Sequence, residues 1–192
     1  MQDEESTLES LSISDSRLKN ETCLIINALS SNHSLLNIDV SGNLFGLLGA
    51  KTLAKALQVN SKLESIYLDR NLIPTIGFID IAYSLERNLT LKHLPIPVQD
   101  LQTAMMKERT SERTETAICK IQELLRRNNL PNTILKGSRL HTHHLPIDTG
   151  AYQLIDKLII HIKDAVNNSV VNNNESDGIG KDEIKKAEAI LK

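Results

Sequence analysis

Residues 35–62 read LLNIDVSGNLFGLLGAKTLAKALQVNSK, and residues 63–90, LESIYLDRNLIPTIGFIDIAYSLERNLT, lie on them without a gap. Both follow the order L-x-x-I-x-[VL]-x-x-N-x-[FI]-x-x-x-G and then a helical [LI]-A-x-[AS]-L-x-x-N. Leu35, Ile38, Val40, Asn43, Phe45, Gly49, Leu53, Ala54, Leu57 and Asn60 answer to Leu63, Ile66, Leu68, Asn71, Ile73, Gly77, Ile81, Ala82, Leu85 and Asn88. Self-similarity at a fixed period of roughly 20–50 residues marks a stacked repeat. Here the period is 28 residues, because Leu35, Leu63 and Leu91 share one position.

Each position in the unit has a physical cause. Alternate strand residues such as Ile38 and Val40 point into a core, and Asp39 between them faces the other side of the sheet. Asn43 and Asn71 follow the strand, where a side-chain amide can hydrogen-bond the turning backbone and stack as a ladder from copy to copy. Gly49 and Gly77 mark the approach to a helix that Ala54 and Ala82 let pack closely. Asn60 and Asn88 end that helix, a position where Asn tolerates a left-handed conformation. The expected fold is α/β: a leucine-rich-repeat solenoid of the long, ribonuclease-inhibitor type, with parallel strands on the concave face and helices outside.

Working outward, an earlier copy runs from Leu8 and is one residue short, with Ser16 at the Asn position. A later copy begins at Leu91. Its helix-end Asn arrives as Asn128, twelve residues late, and KERTSERTE from Lys107 to Glu115 supplies the excess as a polar loop or first helical turn. The four copies span 8–34, 35–62, 63–90 and 91–129 within a repeat region 1–130, which meets the minimum of about three for a stable stack. No capping element precedes the first copy, so a piece of a longer solenoid is expected. In the last copy LPIPVQD, from Leu94 to Asp100, places Pro95 outward between inward Leu94 and Ile96. Proline cannot donate to a ladder, so this strand is expected to offer fewer donors to a further strand and to end the stack.

The chain has 192 residues, 22 basic and 24 acidic, a net charge of −2, which gives no reason to expect a nucleic-acid partner. Aromatics are 3% and Trp is absent, so Leu and Ile must build the core. No run reaches the roughly 20 apolar residues of a membrane span, and MQDEESTLES lacks the basic start of a signal peptide; a cytoplasmic location is expected. Cys23 and Cys119 are read as free buried thiols. His141, His143 and His144 lack the further ligands that zinc needs. In NESDGIGKDEI a calcium loop would put Ile184 where a bidentate Glu is required. With no phosphate-binding loop and no nucleophile motif, no enzyme activity, metal or cofactor is expected.

Residues 131–150 read as a linker and 151–192 as a helical element interrupted by an Asn-rich loop at 167–180. Leu154, Ile155, Leu158, Ile159 and Ile162 form one helical face, which must be buried on something. It either packs on the last repeat as a cap or pairs two copies of the chain, with a membrane surface as the remaining choice. On the concave side Asp39, Tyr67, Asp69, Arg70 and His93 are the candidate interaction residues.

The stretch YLDRNLIPTIGFIDIAYSLERNLTLKHLPIPVQDL from Tyr67 resembles the last repeats of the CARMIL family, the capping-protein and myosin-I linkers of the actin cytoskeleton. The resemblance is carried by Asp69, Arg70 and Asn71, by Gly77 and Phe78, by SLERN from Ser84, and by TLKHLPIPVQD, which is similar to TL-x-x-[LM]-P-[IVL]-P-x-x-D. ERTETAICKIQELLRRNN from Glu112 resembles the helix that follows. What this implies is a non-enzymatic scaffold with protein partners in actin assembly and capping-protein regulation, located at the cytoskeleton. It also implies a homodimer formed through the C-terminal helix, and membrane recruitment only through regions missing from this chain. The family's L-x-H-x-T-x-x-R-P-K motif is not matched, since LHTHHLP from Leu140 has no Arg-Pro-Lys. The rival readings are a tropomodulin-like or inhibitor-type binding module and a GTPase-activating repeat protein, for which Arg70 is the loose candidate.

Overall fold

The computed structural model describes residues 6–107, 111–130 and 157–165. The linker 131–150 with its histidines, Leu154 and Ile155, and the stretch 167–192 lie outside the described residues. Two compact units separate, Met1–Ile147 and Asp148–Lys192.

In the first unit three short strands, β1 (Ser10–Ser12), β2 (Asn37–Asp39) and β3 (Ser65–Tyr67), form a parallel sheet in that order. The register sets Ser10, Asn37 and Ser65 in one row, Leu11, Ile38 and Ile66 in the next, and Ser12, Asp39 and Tyr67 in a third. The middle row faces the core, with Ile38 and Ile66 buried. After each strand the chain passes through a tight turn into a helix: α1 (Thr22–Ala28), α2 (Gly46–Val59) and α3 (Thr75–Leu85). α1 packs on α2, and α2 on α3. Parallel neighbours require such a crossover, and a period of 28 residues is long enough to hold strand, turn and helix.

The turn has its own repeat. Asn43 sits between Gly42 (φ 71°) and Leu44 (φ 58°), Asn71 between Arg70 (φ 63°) and Leu72 (φ 59°), and Ser16 between Asp15 (φ 56°) and Arg17 (φ 52°). Left-handed backbone at a branched or long side chain is disfavoured, and in the second and third turns the buried bonds of Asn43 and Asn71 hold the conformation.

Helix α2 is rich in Ala, Leu and Lys, strong helix formers, and buries Gly49, Ala50, Leu53, Ala54, Ala56 and Leu57 on one side. Gly49 lies inside this helix rather than before it, and a β-carbon there would strike the Phe45 ring. Phe45 and Phe78 are among the largest fully buried side chains. The remaining core is aliphatic, and each fully buried Leu or Ile contributes about 1.5–3 kcal/mol.

The fourth copy holds one helix more than the repeat unit, and the stretch 107–115 ends in the first turn of the second of them. α4 (Val98–Lys107) is a helix of its own, followed by α5 (Glu112–Asn129), which packs on α3. α5 buries Thr114, Ala117, Ile118, Ile121, Leu124, Leu125 and Asn128, and it carries Glu112 and Glu115 in its first turn and Arg126 and Arg127 in its last, the polarity that suits a helix dipole. Cys23 and Cys119 are half-buried rather than buried, and neither forms a disulfide. In the second unit a helix α6 covers 157–165, with Ile159 and Ile162 buried, Leu158 half-buried and Ile160 exposed.

Candidate interaction surface

The sheet face opposite the core carries the sequence-derived candidates. His93 bridges Ser65, extending the first row, and its ring meets Tyr67 edge to face at 5.6 Å and 65°. Tyr67 is 44% exposed. Asp39, its register partner, accepts the Ser41 amide at 2.9 Å. Arg70 reaches Asp15 with both terminal nitrogens, at 2.6 and 3.0 Å. The hydrogen bond and charge of Asp15 raise the Arg70 pKa further. This pair bridges the turns of the first and third copies across Gly42, where a β-carbon would collide with the Asp15 carboxylate. Gly42 therefore has no room for a side chain, in addition to its positive φ.

Asp69 is engaged differently. Its carboxylate accepts the amides of Gln99 and Asp100 at 3.1 Å each, and of Arg70 at 2.9 Å. Gln99 and Asp100 lie in the first turn of α4, so Asp69 caps that helix from 30 residues away. Asp100 returns the contact: its two oxygens accept the Asn71 amide at 3.0 and 2.8 Å, and one accepts Leu72 at 2.7 Å. Asp100 is 1% exposed. Burial raises its pKa to about 6, against the pull of its amide donors and with a further push from Asp69. Reading the sequence marked Asp100 only as the last letter of the proline motif, and its role was missed. The available signal was its place, one residue beyond the position that a 28-residue period assigns to the next ladder Asn.

That ladder is explicit. Asn71 Oδ1 accepts the Asn43 amide at 2.8 Å, and Asn43 Oδ1 accepts that of Leu18 at 3.2 Å. The Asn71 Nδ2 group donates to the Val40 and Leu68 carbonyls, and that of Asn43 to Ile13 and Val40. Asp100 supplies the acceptor at the end of the row. A second ladder joins the helix ends. Asn60 donates to Asn32 O, Asn88 to Asn60 O, and the late Asn128 to Asn88 O at 3.1 Å. The left-handed conformation expected of Asn60 and Asn88 is not there: Asn60 is extended at φ −69°, ψ 128°, and Asn88 does not have positive φ. Their side-chain oxygens instead accept the amides that start the next copy, Leu63 at 2.7 Å and Leu91 at 2.8 Å.

The prolines also act otherwise than expected. His93 exchanges bonds with β3, its amide donating to Glu64 O and its carbonyl accepting from Ile66. Two residues on, the alternation of a parallel ladder turns the amide of residue 95 to the same side. The donor missing at Pro95 therefore faces β3, not a further strand, and pairing stops at one bridge. Leu94 stays in the core at 4% exposure, while Ile96 is only half-buried, because the strand leaves the sheet there. The outward edge is covered by α5: Gln122 donates to Leu94 O at 3.2 Å and Asn129 to Lys92 O at 2.9 Å. Arg127 donates to the Leu85, Glu86 and Asn88 carbonyls at 2.8–3.1 Å and closes the C-terminus of α3.

Among the described residues no cluster of His, Cys, Asp and Glu is arranged to hold a metal, and no helix is long and apolar enough to cross a membrane. A groove of about 550 Å³ lies between α3 and α5, lined by Ile79, Ala82, Tyr83, Glu86, Ala117 and Lys120 among others.

No protein-family model matches the sequence. The human "Capping protein, Arp2/3 and myosin-I linker protein 3" is 41% identical over 166 residues, 86% of this chain. "Protein CARMIL" of Dictyostelium discoideum is 34% identical over 154 residues, 78% of the chain. The chain belongs to the CARMIL family. It spans 12% and 14% of the length of these two CARMIL relatives. A Dictyostelium protein named "Rho GTPase-activating protein gacW" is 30% identical over 64% of this CARMIL chain and is matched over 11% of its own length. Among solved structures, "Leiomodin-1 Actin-Binding Site 2" superposes with a TM-score of 0.48 at 19% identity, over 71% of this chain and 87% of that one, too distant to bear on function.

Proposed function

We propose that this chain is a non-enzymatic scaffold of the actin cytoskeleton. It is the end of a CARMIL-type leucine-rich-repeat solenoid, running over 8–129 and followed by a helical element at 151–192. It presents its sheet face to protein partners in the regulation of capping protein and actin assembly, and it pairs with a second copy through the C-terminal helix. The 41% identity to a protein whose name joins capping protein, Arp2/3 and myosin-I carries this reading. A cytoplasmic, cytoskeletal location goes with it, and recruitment to the plasma membrane is assigned to regions outside this chain.

Two observations bear on the alternatives. The gacW match supports a GTPase-activating role, but such catalysis asks for an arginine able to reach a phosphoryl group, and Arg70 is held by both nitrogens on Asp15. The face of α6 that carries the buried Ile159 and Ile162 serves either as an intramolecular cap or as a dimer interface. Light scattering of residues 1–192 decides between them when paired with Ile155→Asp/Ile159→Asp. Self-association predicts a dimer that the double variant turns into folded monomers. A monomeric mass for the unsubstituted chain overturns it, and loss of stability in the double variant then assigns the helix to capping.

A further inference from the structure

We propose that the sheet face takes a basic, arginine- or lysine-bearing segment of a partner protein, with one cationic side chain seated over the Tyr67 ring beside Asp39. This deepens the reading of that face as the partner surface and rests on it.

Tyr67 and Asp39 are register partners on adjacent strands, and strands lie about 4.8 Å apart, so ring and carboxylate stand side by side. Tyr67 is 44% exposed while its ring meets that of His93 in a T-shaped contact at 5.6 Å, and an aromatic side chain held in place at a solvent-exposed position is where a cation binds. The charges on this face are uneven. The two cations beside Tyr67 and His93 are paired, Arg70 with Asp15 at 2.6 Å and Lys92 with Glu64 at 2.8 Å. Asp39 enters no ion pair among the described residues, and neither does Glu9, which precedes β1. Asp69, the other acid here, spends its carboxylate on α4. The charge left without an ion-pair contact among these residues is therefore negative and lies next to the aromatic anchor, with Arg70, bonded to Asp15, feeling the Asp39 charge from a distance. A complementary partner brings positive charge, which sets on-rate and register more than raw affinity. An acidic partner meets the Asp39 carboxylate and finds both cations occupied.

The test uses the whole 192-residue chain, ¹⁵N-labelled, with a fluorescent ten-residue Arg-Ser peptide and its Glu-Ser counterpart as probes. The Arg-Ser peptide is expected to bind and to shift the amides of Asp39, Tyr67 and His93. Tyr67→Ala should weaken binding about threefold or more, the range of an exposed cation–π contact, whereas Tyr67→Phe keeps it. Asp39→Asn, which retains an acceptor for Ser41, should weaken it, while Glu123→Gln, the same change of charge on α5, should not. Absence of Arg-Ser binding overturns the proposal, as does an equal loss in Glu123→Gln, which would reduce the effect to net charge. Binding of the Glu-Ser peptide at the same amides overturns the basic partner while leaving the face as the partner surface. Shifts confined to the helices overturn both.

Discussion

Replacing Asp100 by Asn should remove a pH dependence that the buried carboxylate imposes on the fold. Asp100 is 1% exposed and titrates near 6, against an ordinary value of 3.8. Burial is the largest cause, and Asp69 adds to it. Because the folded pKa lies above the unfolded one, the stability this group contributes is fully present below pH 3.8 and is lost as pH rises through 6. Two pH units correspond to about 3 kcal/mol, of which about 2 kcal/mol falls between pH 4 and 7. Asn at this position keeps one oxygen to accept Asn71 and Leu72 but does not titrate. Urea unfolding of both proteins across this range, followed by circular dichroism, gives the stability difference directly, and groups common to both cancel. The wild-type chain should lose about 2 kcal/mol relative to Asp100→Asn on going from pH 4 to 7, a midpoint shift on the order of 1 M urea. A flat difference, or a wild type that gains on the variant, would refute the reasoning. It would mean that the Asn71 and Leu72 amides hold the carboxylate ionised more strongly than burial opposes it.

Two further outcomes follow from the packing. Asn71→Ala leaves the Leu68 carbonyl and the Asn43 amide without their side-chain partner and takes one of two side-chain donors from the Val40 carbonyl in a buried turn, and should cost about 2–4 kcal/mol by urea denaturation, while Asn129→Ala at the exposed edge costs about 1 kcal/mol or less. Gly49→Ala should destabilise by about 1–3 kcal/mol although Ala is the better helix former, because the new methyl displaces the Phe45 ring; a thermal midpoint unchanged or raised would contradict that contact.

The strand-turn-helix order was legible because each side chain that defines it acts within its own copy or on the next. Ile38 and Ile66 point inward by strand alternation, and a 28-residue offset places them side by side. What escaped reading depends on pairings with no fixed offset. α4 was not foreseen because VQDLQTAMMK breaks the period, and only the cap from Asp69 shows why a helix starts there. The role of Asn60 was misassigned for a related reason. An Asn at a helix end is equally compatible with a left-handed backbone and with an extended one whose amide reaches the previous copy, and only the neighbouring carbonyls of Leu29 and Asn32 decide. Among the candidate residues of the sheet face, Tyr67 and His93 come together, whereas Asp69 and Arg70 turn out to be held by other parts of the chain.

Two of the stretches that carried the family resemblance, D-R-N at 69–71 and P-I-P-V-Q-D at 95–100, form one device. Pro95 removes the amide that would continue pairing to β3, so the chain leaves the sheet after one bridge and is free to start α4 at Val98. That early start brings the first-turn amides of α4 onto Asp69 and swings Asp100 back onto the amides of Asn71 and Leu72. Asparagine suits the middle of the ladder, because its amide must donate to carbonyls on both sides of its turn while its oxygen accepts. At the last rung there is no following turn, and a residue that only accepts completes it. An aspartate meets that need at the cost of burying a charge, which is why its carboxyl sits near pH 6 and why the end of this repeat array is where its stability responds to pH.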